Sequence, residues 1–343
     1  MTTVAIQQKE LVKDPVLETF LPAILATEAV QRLKGISFLG AIAWSGRASA
    51  DPSLPMSRYA HSLGVAELAS QVARARGFSR DLHRHVVCAA LLHDIGHPPL
   101  SHSLEGVIRE RWGQDHHSLG LARIRGETAD SGKLNSLLRH FVDIDFIEAL
   151  VSGRCGEEGG ELFSASLNID TIDGICRTAR WAGLTWGDRP ATPSAVAHAA
   201  HVEAPDDAAL EIMDAFWQLK HRVYNDFIFT PESLVADVAG RVCMETHTGF
   251  SLEDMLSDEH SLEQRFAGLF SAIRHPERLD PELLELPVVR PQRMYRIGPK
   301  RQPDVRYYCT RTQSTSTLSA LMEERKGGSC HEEGPALPLP ATC

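Results

Sequence analysis

The sequence predicts an all-α protein, a multi-helix bundle that ends in a small β-hairpin appendage and a disordered tail. Three observations predict it. Apolar residues recur at helical spacing along most of residues 20–285. Helix-forming residues are plentiful, while only 6% of the 343 residues are aromatic. Strand-type enrichment in Val, Tyr and Ile is confined to two short runs near the C-terminus.

Phe20–Leu33 carries the first helical pattern and stops near Gly35, and Ala41–Pro55, with its Ser, Gly, Asp and Pro, reads as a loop. Tyr59–Arg76 has apolar positions at Leu63, Val65, Ala66, Leu68, Ala69 and Val72 and stops at Gly77. Ser79 caps the next helix, with Asp81 in its first turn. That helix runs through Val86–Leu92 to His93-Asp94 and breaks at Gly96 before Pro98-Pro99. Ser101–Trp112, Asp115–Arg125 and Leu134–Val151 follow as helices, and Gly153–Gly160 as a break. Ser166–Gly183 is helical and aligns Asp170, Asp173 and Arg177 along one face. Thr185–Pro205 reads as a loop and Asp206–Phe229 as a long helix. Thr230-Pro231-Glu232 is a helix start, with that helix ending near Gly249, and Glu259–Ile273 is helical again. Pro287–Ile297 and Val305–Thr310 flank a Gly-Pro turn and predict a hairpin. From Thr312 the Ser/Thr-rich and then Gly, Glu and Pro-rich chain predicts disorder. The expected organisation is a segment 1–19, a helical domain 20–285, a β-containing appendage 286–311 and a tail 312–343.

With 43% hydrophobic residues the chain can bury a large core. Its net charge of -10 is a poor footprint for nucleic acid. The seven cysteines are odd in number and lack a C-x-x-C pair, which points to free thiols in a reducing cytosol. Met1–Glu10 shows no secretory signal, and the apolar run Val86–Leu92 is too short to cross a bilayer, so a cytoplasmic protein without a membrane partner is expected. The basic stretch 290–301 holds Arg290, Arg293, Arg296, Lys300 and Arg301; it is either a solvated hairpin face or a contact for a homo-oligomer or an anion.

Eight of the 16 histidines fall between His61 and His117. A lone histidine is ordinarily a satisfied, partly buried side chain. The His93-Asp94 pair is different, because a carboxylate directly after an apolar run is costly to bury unless paired or metal-bound. His61, the His93-Asp94 pair and a later aspartate come from three helices and suit one divalent metal ion. Mixed nitrogen and oxygen donors leave its identity open among Mn, Fe, Ni, Zn and Mg.

The runs R-Y-A-H-S-L-G (58–64), L-L-H-D-I-G-H-P-P-L-S-H (91–102) and N-I-D-T-I-D (168–173) resemble the HD-domain phosphohydrolases. Within that superfamily the sequence is most similar to the deoxynucleoside triphosphate triphosphohydrolases. R-L-x-x-I-x-x-L-G (32–40), H-R-V-Y-N (221–225), L-S-D-E (256–259) and R-M-Y-R-I (293–297) extend the likeness over roughly residues 20–297. The resemblance implies an HD-type helical bundle and a metal held by His61, His93, Asp94 and Asp170. It implies Arg58 as a phosphate contact, and His97 and His102 as groups serving both the phosphate and the chemistry. Glu105 and His116 match an acid–histidine pair that supplies a proton or orients the nucleophile. Phe38 and Leu39 fall in the segment that reads the sugar. Asp173 is expected to pair with Arg177 in a structural role.

The chain departs from that pattern where a triphosphate is gripped. Thr171 stands in place of a basic residue, Gly174 in place of an aromatic, Thr178 in place of an acid and Phe38 in place of an amide. The expected function is a metal-dependent phosphohydrolase acting on a small nucleotide-type substrate, with a less anionic or bulkier ester fitting Thr171 and Gly174. Two other readings are a dinuclear phosphodiesterase, with His117 or His140 as spare ligands, and a catalytically weak nucleotide sensor.

Overall fold

The computed structural model describes residue 11, residues 13–186 and residues 191–327. Helices dominate, and the two strands form one antiparallel hairpin. At the centre lie α1 (Arg58–Ala75) and α2 (Arg80–Leu92). Ser57 and Ser79 cap them by accepting the backbone N–H of Ala60 and Leu82. The first half of α1 is buried on every side, from Arg58 to Ala66. Its small residues Ala60, Ser62, Gly64 and Ala66 allow that close approach. Packed against or beside this pair are α3 (Glu105–Trp112), α4 (His116–Arg125) and α5 (Ile169–Ala182). Asn168 caps α5, and Gly183, at φ 71°, ends it.

Beyond them, α6 (Asp207–Val223) passes into a π-turn over Tyr224–Ile228, and Thr230 precedes α7 (Pro231–Thr246). Strands β1 (Pro287–Ile297) and β2 (Tyr307–Thr317) pair in register from Pro287↔Thr317 to Ile297↔Tyr307. The hairpin is tied to α6. Asp214 accepts from Tyr307 Oη and Arg306 Nε, both at 2.8 Å, and Trp217 Nε1 donates to the Arg296 carbonyl at 3.0 Å. Cys88, Cys155, Cys176, Cys243 and Cys309 are free thiols, and no described helix is long and apolar enough to cross a membrane.

Several predicted elements are corrected. The expected loop over residues 41–55 opens with a short helix, Ala41–Trp44, and Thr185–Pro205 contains Pro193–Ala200, capped by Thr192. The pattern over Leu134–Val151 is two helices, Gly132–Phe141 and Ile144–Val151; Asp143 caps the second and so breaks the run. The stretches Phe20–Leu33 and Glu259–Ile273 are likewise split, at Ala26-Thr27 and at Phe266. Disorder from Thr312 is overturned for residues 312–327. The Ser/Thr run continues β2 to Thr317, because β1 offers it a full partner, and α8 (Leu318–Gly327) follows. Leu318 and Leu321 are fully buried among Leu234, Val235 and Val238. The rest of the expected tail, 328–343, lies outside the described residues, as do residues 1–10 and 12 of the expected N-terminal segment.

Candidate functional site

Four side chains meet where α1, the end of α2 and the start of α5 converge. His61 Nε2 lies 3.0 Å from Asp170 Oδ1 and 3.5 Å from Asp94 Oδ2. His93 Nε2 lies 3.3 Å from His61 Nε2, 3.4 Å from Asp94 Oδ1 and 3.6 Å from Asp170 Oδ1. Ligand bonds of about 2.1 Å in octahedral or tetrahedral arrangement separate adjacent donors by about 3.0–3.4 Å. The spacing of His61, His93 and Asp94, whose ligand atoms lie within 4.8 Å of one another, therefore fits one divalent ion, and Asp170 approaches from the His61 side. Each imidazole also has its far nitrogen committed. His61 Nδ1 donates to Asp173 Oδ2 at 2.7 Å, and His93 Nδ1 donates to the Ala90 carbonyl at 2.8 Å. Both Nε2 lone pairs are thereby aimed at the gap, as metal-binding histidines require.

The electrostatics point the same way. Burial disfavours charge on His93, yet Asp94 and Asp170 outweigh it and push the imidazole up to about 9. Two carboxylates facing two histidines form a site that wants a cation. Burial would raise the Asp94 carboxyl, but His93 and Arg58 hold it well below the usual carboxylate range. Arg58 is buried and donates through Nη1 to Asp94 Oδ2 at 2.6 Å, through Nε to Ser101 Oγ at 2.9 Å and through Nη2 to the Phe38 carbonyl at 3.2 Å.

A second group lies beside the first. Glu105 accepts from His116 Nδ1 at 2.5 Å and from His102 Nδ1 at 2.9 Å. Burial alone would raise the Glu105 carboxyl; the bonds from His102 and His116 prevail and hold it far below the usual range. His97 stacks on His116 with ring centres 4.2 Å apart and planes 8° apart, and meets His102 edge-on at 4.6 Å. His97 Nε2 is 3.1 Å from Asp94 Oδ1 without making a hydrogen bond, and neither of its ring nitrogens has a hydrogen-bond partner among the described residues.

Both groups border a cavity of about 610 Å³. Arg58, Asp94, Asp170, His102 and His116 front it, with His117 beside them, and Phe38, Leu39 and Ile42 form an apolar wall. His61, His93, His97 and Glu105 stand behind this lining. His140 is exposed on a separate helix against Phe141 and takes no part.

Several contributors escaped sequence reasoning. Asp173 does pair with Arg177, at 2.8 Å, but the same oxygen holds His61. Its place on the face of Asp170 was the available signal. Glu259 accepts from Ser37 N, Ser37 Oγ, Trp44 Nε1 and Leu100 N. Burial pushes its carboxyl up against these bonds. It clamps the Phe38 segment to the turn at Leu100 and Ser101, two non-glycine residues held at φ 61° and 51°. Phe38 takes the space that an aromatic side chain at position 174 would need: a Cβ there would lie in ordinary contact, 3.4 Å from Phe38 Cζ, and the Phe38 ring packs 4.6 Å from that of His61. The aromatic ring arrives from the loop instead of from α5.

Residues 58–159 match the HD domain family. The chain is 26% identical over 235 residues to the uncharacterized protein YwfO of Bacillus subtilis, covering 62% of this chain and 52% of that one. It is 40% identical over 73 residues to a deoxyguanosinetriphosphate triphosphohydrolase-like protein of Neorickettsia sennetsu, covering 20% of this chain and 18% of that one. A solved phosphohydrolase from Bacteroides thetaiotaomicron aligns with a TM-score of 0.51 at 18% identity over 78% of this chain and 69% of that one. A hypothetical protein from Aquifex aeolicus aligns with a TM-score of 0.60 at 17% identity, over 88% of this chain and 93% of that one. At those identities the structural likeness shows a shared fold. The chain spans about half the length, or less, of the curated relatives it matches.

Proposed function

We propose that this chain, which carries an HD domain over residues 58–159, is a metal-dependent phosphohydrolase that cleaves a phosphate ester of a nucleotide. One observation carries the reading. Ligand atoms of His61, His93 and Asp94 lie within 4.8 Å of one another, with Asp170 Oδ1 3.0 Å from His61 Nε2, directly beside a carboxylate-held pair of histidines. His61, His93, Asp94 and Asp170 would hold a divalent ion, which would supply Lewis acidity toward a phosphoryl oxygen and water. The chain's own residues do the rest. Arg58 places a fixed positive charge on the cavity wall beside Asp94, where phosphate oxygens gather charge. Glu105 fixes His102 and His116 through Nδ1, so their Nε2 atoms are left to bond a phosphate or pass a proton to the leaving group. His97 supports His116 from behind by stacking. The cavity has the volume expected of a small-molecule site, and Phe38, Leu39 and Ile42 suit a base or sugar.

A dinuclear phosphodiesterase is the second reading. It is favoured by His97, His102 and His116, whose ligand atoms lie within 4.8 Å of one another, and not by His140. A nucleotide panel screened with each divalent metal decides between them, reading phosphate, pyrophosphate and triphosphate separately and counting bound metal. Metal-dependent release that His61→Ala abolishes without lowering the melting temperature supports hydrolysis. No release with any metal refutes it.

A further inference from the structure

Among the described residues, three aspartates line the cavity, and the proposed chemistry uses two of them. Asp94 and Asp170 face His61 and His93. Asp237, from the first half of α7, pairs with none of these residues. Its partner is Ser103, whose Oγ donates to Asp237 Oδ1 at 2.6 Å and accepts from Ala41 N at 2.9 Å. Asp237 Oδ2 has no partner among the described residues and is open to the cavity. Both arginines of the lining are held elsewhere. Arg58 donates to Asp94, and Arg293 lies against Tyr224 and Phe229, its guanidinium carbon 4.4 Å and 5.5 Å from their ring centres.

The bond to Ser103 does not account for a carboxylate. It needs one acceptor oxygen, which an asparagine would supply without the cost of burying a charge. Burial pushes the Asp237 carboxyl up to about 6, and the Ser103 bond only partly opposes it. At neutral pH the group is still mostly ionised, with one oxygen unbonded in a cavity that Leu39 and Ile42 also line. An acceptor in that state gains most from a donor that arrives with the ligand. The surroundings hold it in place. Gly40, at φ 57°, passes so close that a Cβ there would collide with Ser103 Oγ and the Leu100 carbonyl oxygen. The segment that carries Phe38 and Leu39 is thereby locked against the residue that aims Asp237.

We propose that Asp237 is a specificity-determining residue, whose Oδ2 accepts a hydrogen bond from an N–H or O–H group on the phosphate-free part of the ligand. The donor is an amine or ring N–H of a base, or a hydroxyl of a sugar. That the ligand is a nucleoside derivative rests on the hydrolase reading above. The demand for a donor at Asp237 does not.

Binding of adenosine, guanosine and cytidine to the protein as purified, measured by isothermal titration calorimetry, tests this without turnover, since none carries a phosphate. Analogues each remove one donor. Purine riboside, inosine and uridine lack the base amine, and 2′-deoxyadenosine and 3′-deoxyadenosine lack one sugar hydroxyl. Wild type is expected to lose roughly tenfold in affinity when the donor that meets Asp237 is removed, the order of one hydrogen bond to a charged group. Asp237→Asn, which keeps an acceptor for Ser103, is expected to lose the same factor on every probe that carries this donor and nothing on a probe that lacks it. The probe that is indifferent to the substitution names base or sugar as the source. Asp237→Ala decides the matter if Asp237→Asn does not fold. Equal loss on every probe, no loss on any, or no binding of any probe to wild type overturns the role of Asp237. A protein that needs Asp237 for one donor but hydrolyses no nucleotide with any metal keeps this inference and loses the hydrolase reading. A hydrolase whose Asp237→Asn form binds every probe as wild type does the reverse.

Discussion

Replacing Asp173 with Asn is expected to weaken metal binding at the proposed site without altering any of the proposed ligands themselves. Asp173 Oδ2 accepts from His61 Nδ1 at 2.7 Å and from Arg177 Nε at 2.8 Å, while Oδ1 accepts from Arg177 Nη2 at 3.1 Å. All three side chains are under one-tenth exposed, so solvent does little to screen these contacts. The amide keeps the shape and one acceptor oxygen but loses the charge. That oxygen cannot serve both His61 and Arg177 as the carboxylate does. Outer-shell partners of this kind are worth about 10–100-fold in metal affinity. Removing one member of a buried ion pair costs about 3–5 kcal/mol. Here the lower end applies, because Arg177 keeps the carbonyls of Pro55 and Ala60 as acceptors, at 2.9 and 3.0 Å. Titration of the apo-protein with Mn²⁺, followed by calorimetry and urea unfolding, reads both quantities. An Asp173→Asn protein that binds the ion as tightly as wild type would show that the orientation of His61 does not depend on Asp173.

Gly96→Ala is expected to lose at least about 3 kcal/mol of stability, since its Cβ would meet the His116 carbonyl oxygen at 2.0 Å and the Gly120 nitrogen at 2.2 Å, both backbone atoms. Gly174→Ala, whose Cβ makes only ordinary contact, should gain about 0.5–1 kcal/mol from helix propensity; thermal melts of the pair separate the two cases. Glu105→Gln frees one of His102 and His116, so kcat on any substrate found by the panel should drop about 100-fold or more, with a smaller change in KM. Burial pushes the Asp237 carboxyl, bonded to Ser103 Oγ at 2.6 Å, up to about 6 from 3.8. The folded state thus holds this proton more tightly than the unfolded chain does. The resulting stabilisation is complete below pH 3.8 and is lost as pH rises through about 6, at most about 3 kcal/mol. Urea unfolding from pH 4 to 7 should show that decline in wild type and not in Asp237→Asn.

The place of the candidate site was legible in part because some of its chemistry is local. His93-Asp94 at the end of an apolar helix is a costly pair that advertises a partner, and helical spacing put Asp170 and Asp173 on one face, while the proposed role of Asp170 came from the family resemblance. The long helices were legible for the same reason: periodicity and the caps at Ser79 and Asn168 act within a few residues. The Ser/Thr run after Thr312 was misread because a strand is stabilised by its partner, and the partner lay some 20 residues back in β1.

By itself, then, the sequence determined an all-α fold and marked His93-Asp94 as a pair that needs a partner, since both depend on residue identity at short spacing; the other proposed ligands and the Glu105–His116 pair rested on the resemblance to the HD-domain phosphohydrolases. Only the tertiary structure decided which far atoms orient those ligands. Asp173 behind His61, Glu259 beneath the Phe38 segment, Phe38 over Gly174 and Asp237 on the cavity wall all act across long stretches of chain. Packing sets such contacts. No periodicity records them, because their energy depends on where separate elements come to rest against one another.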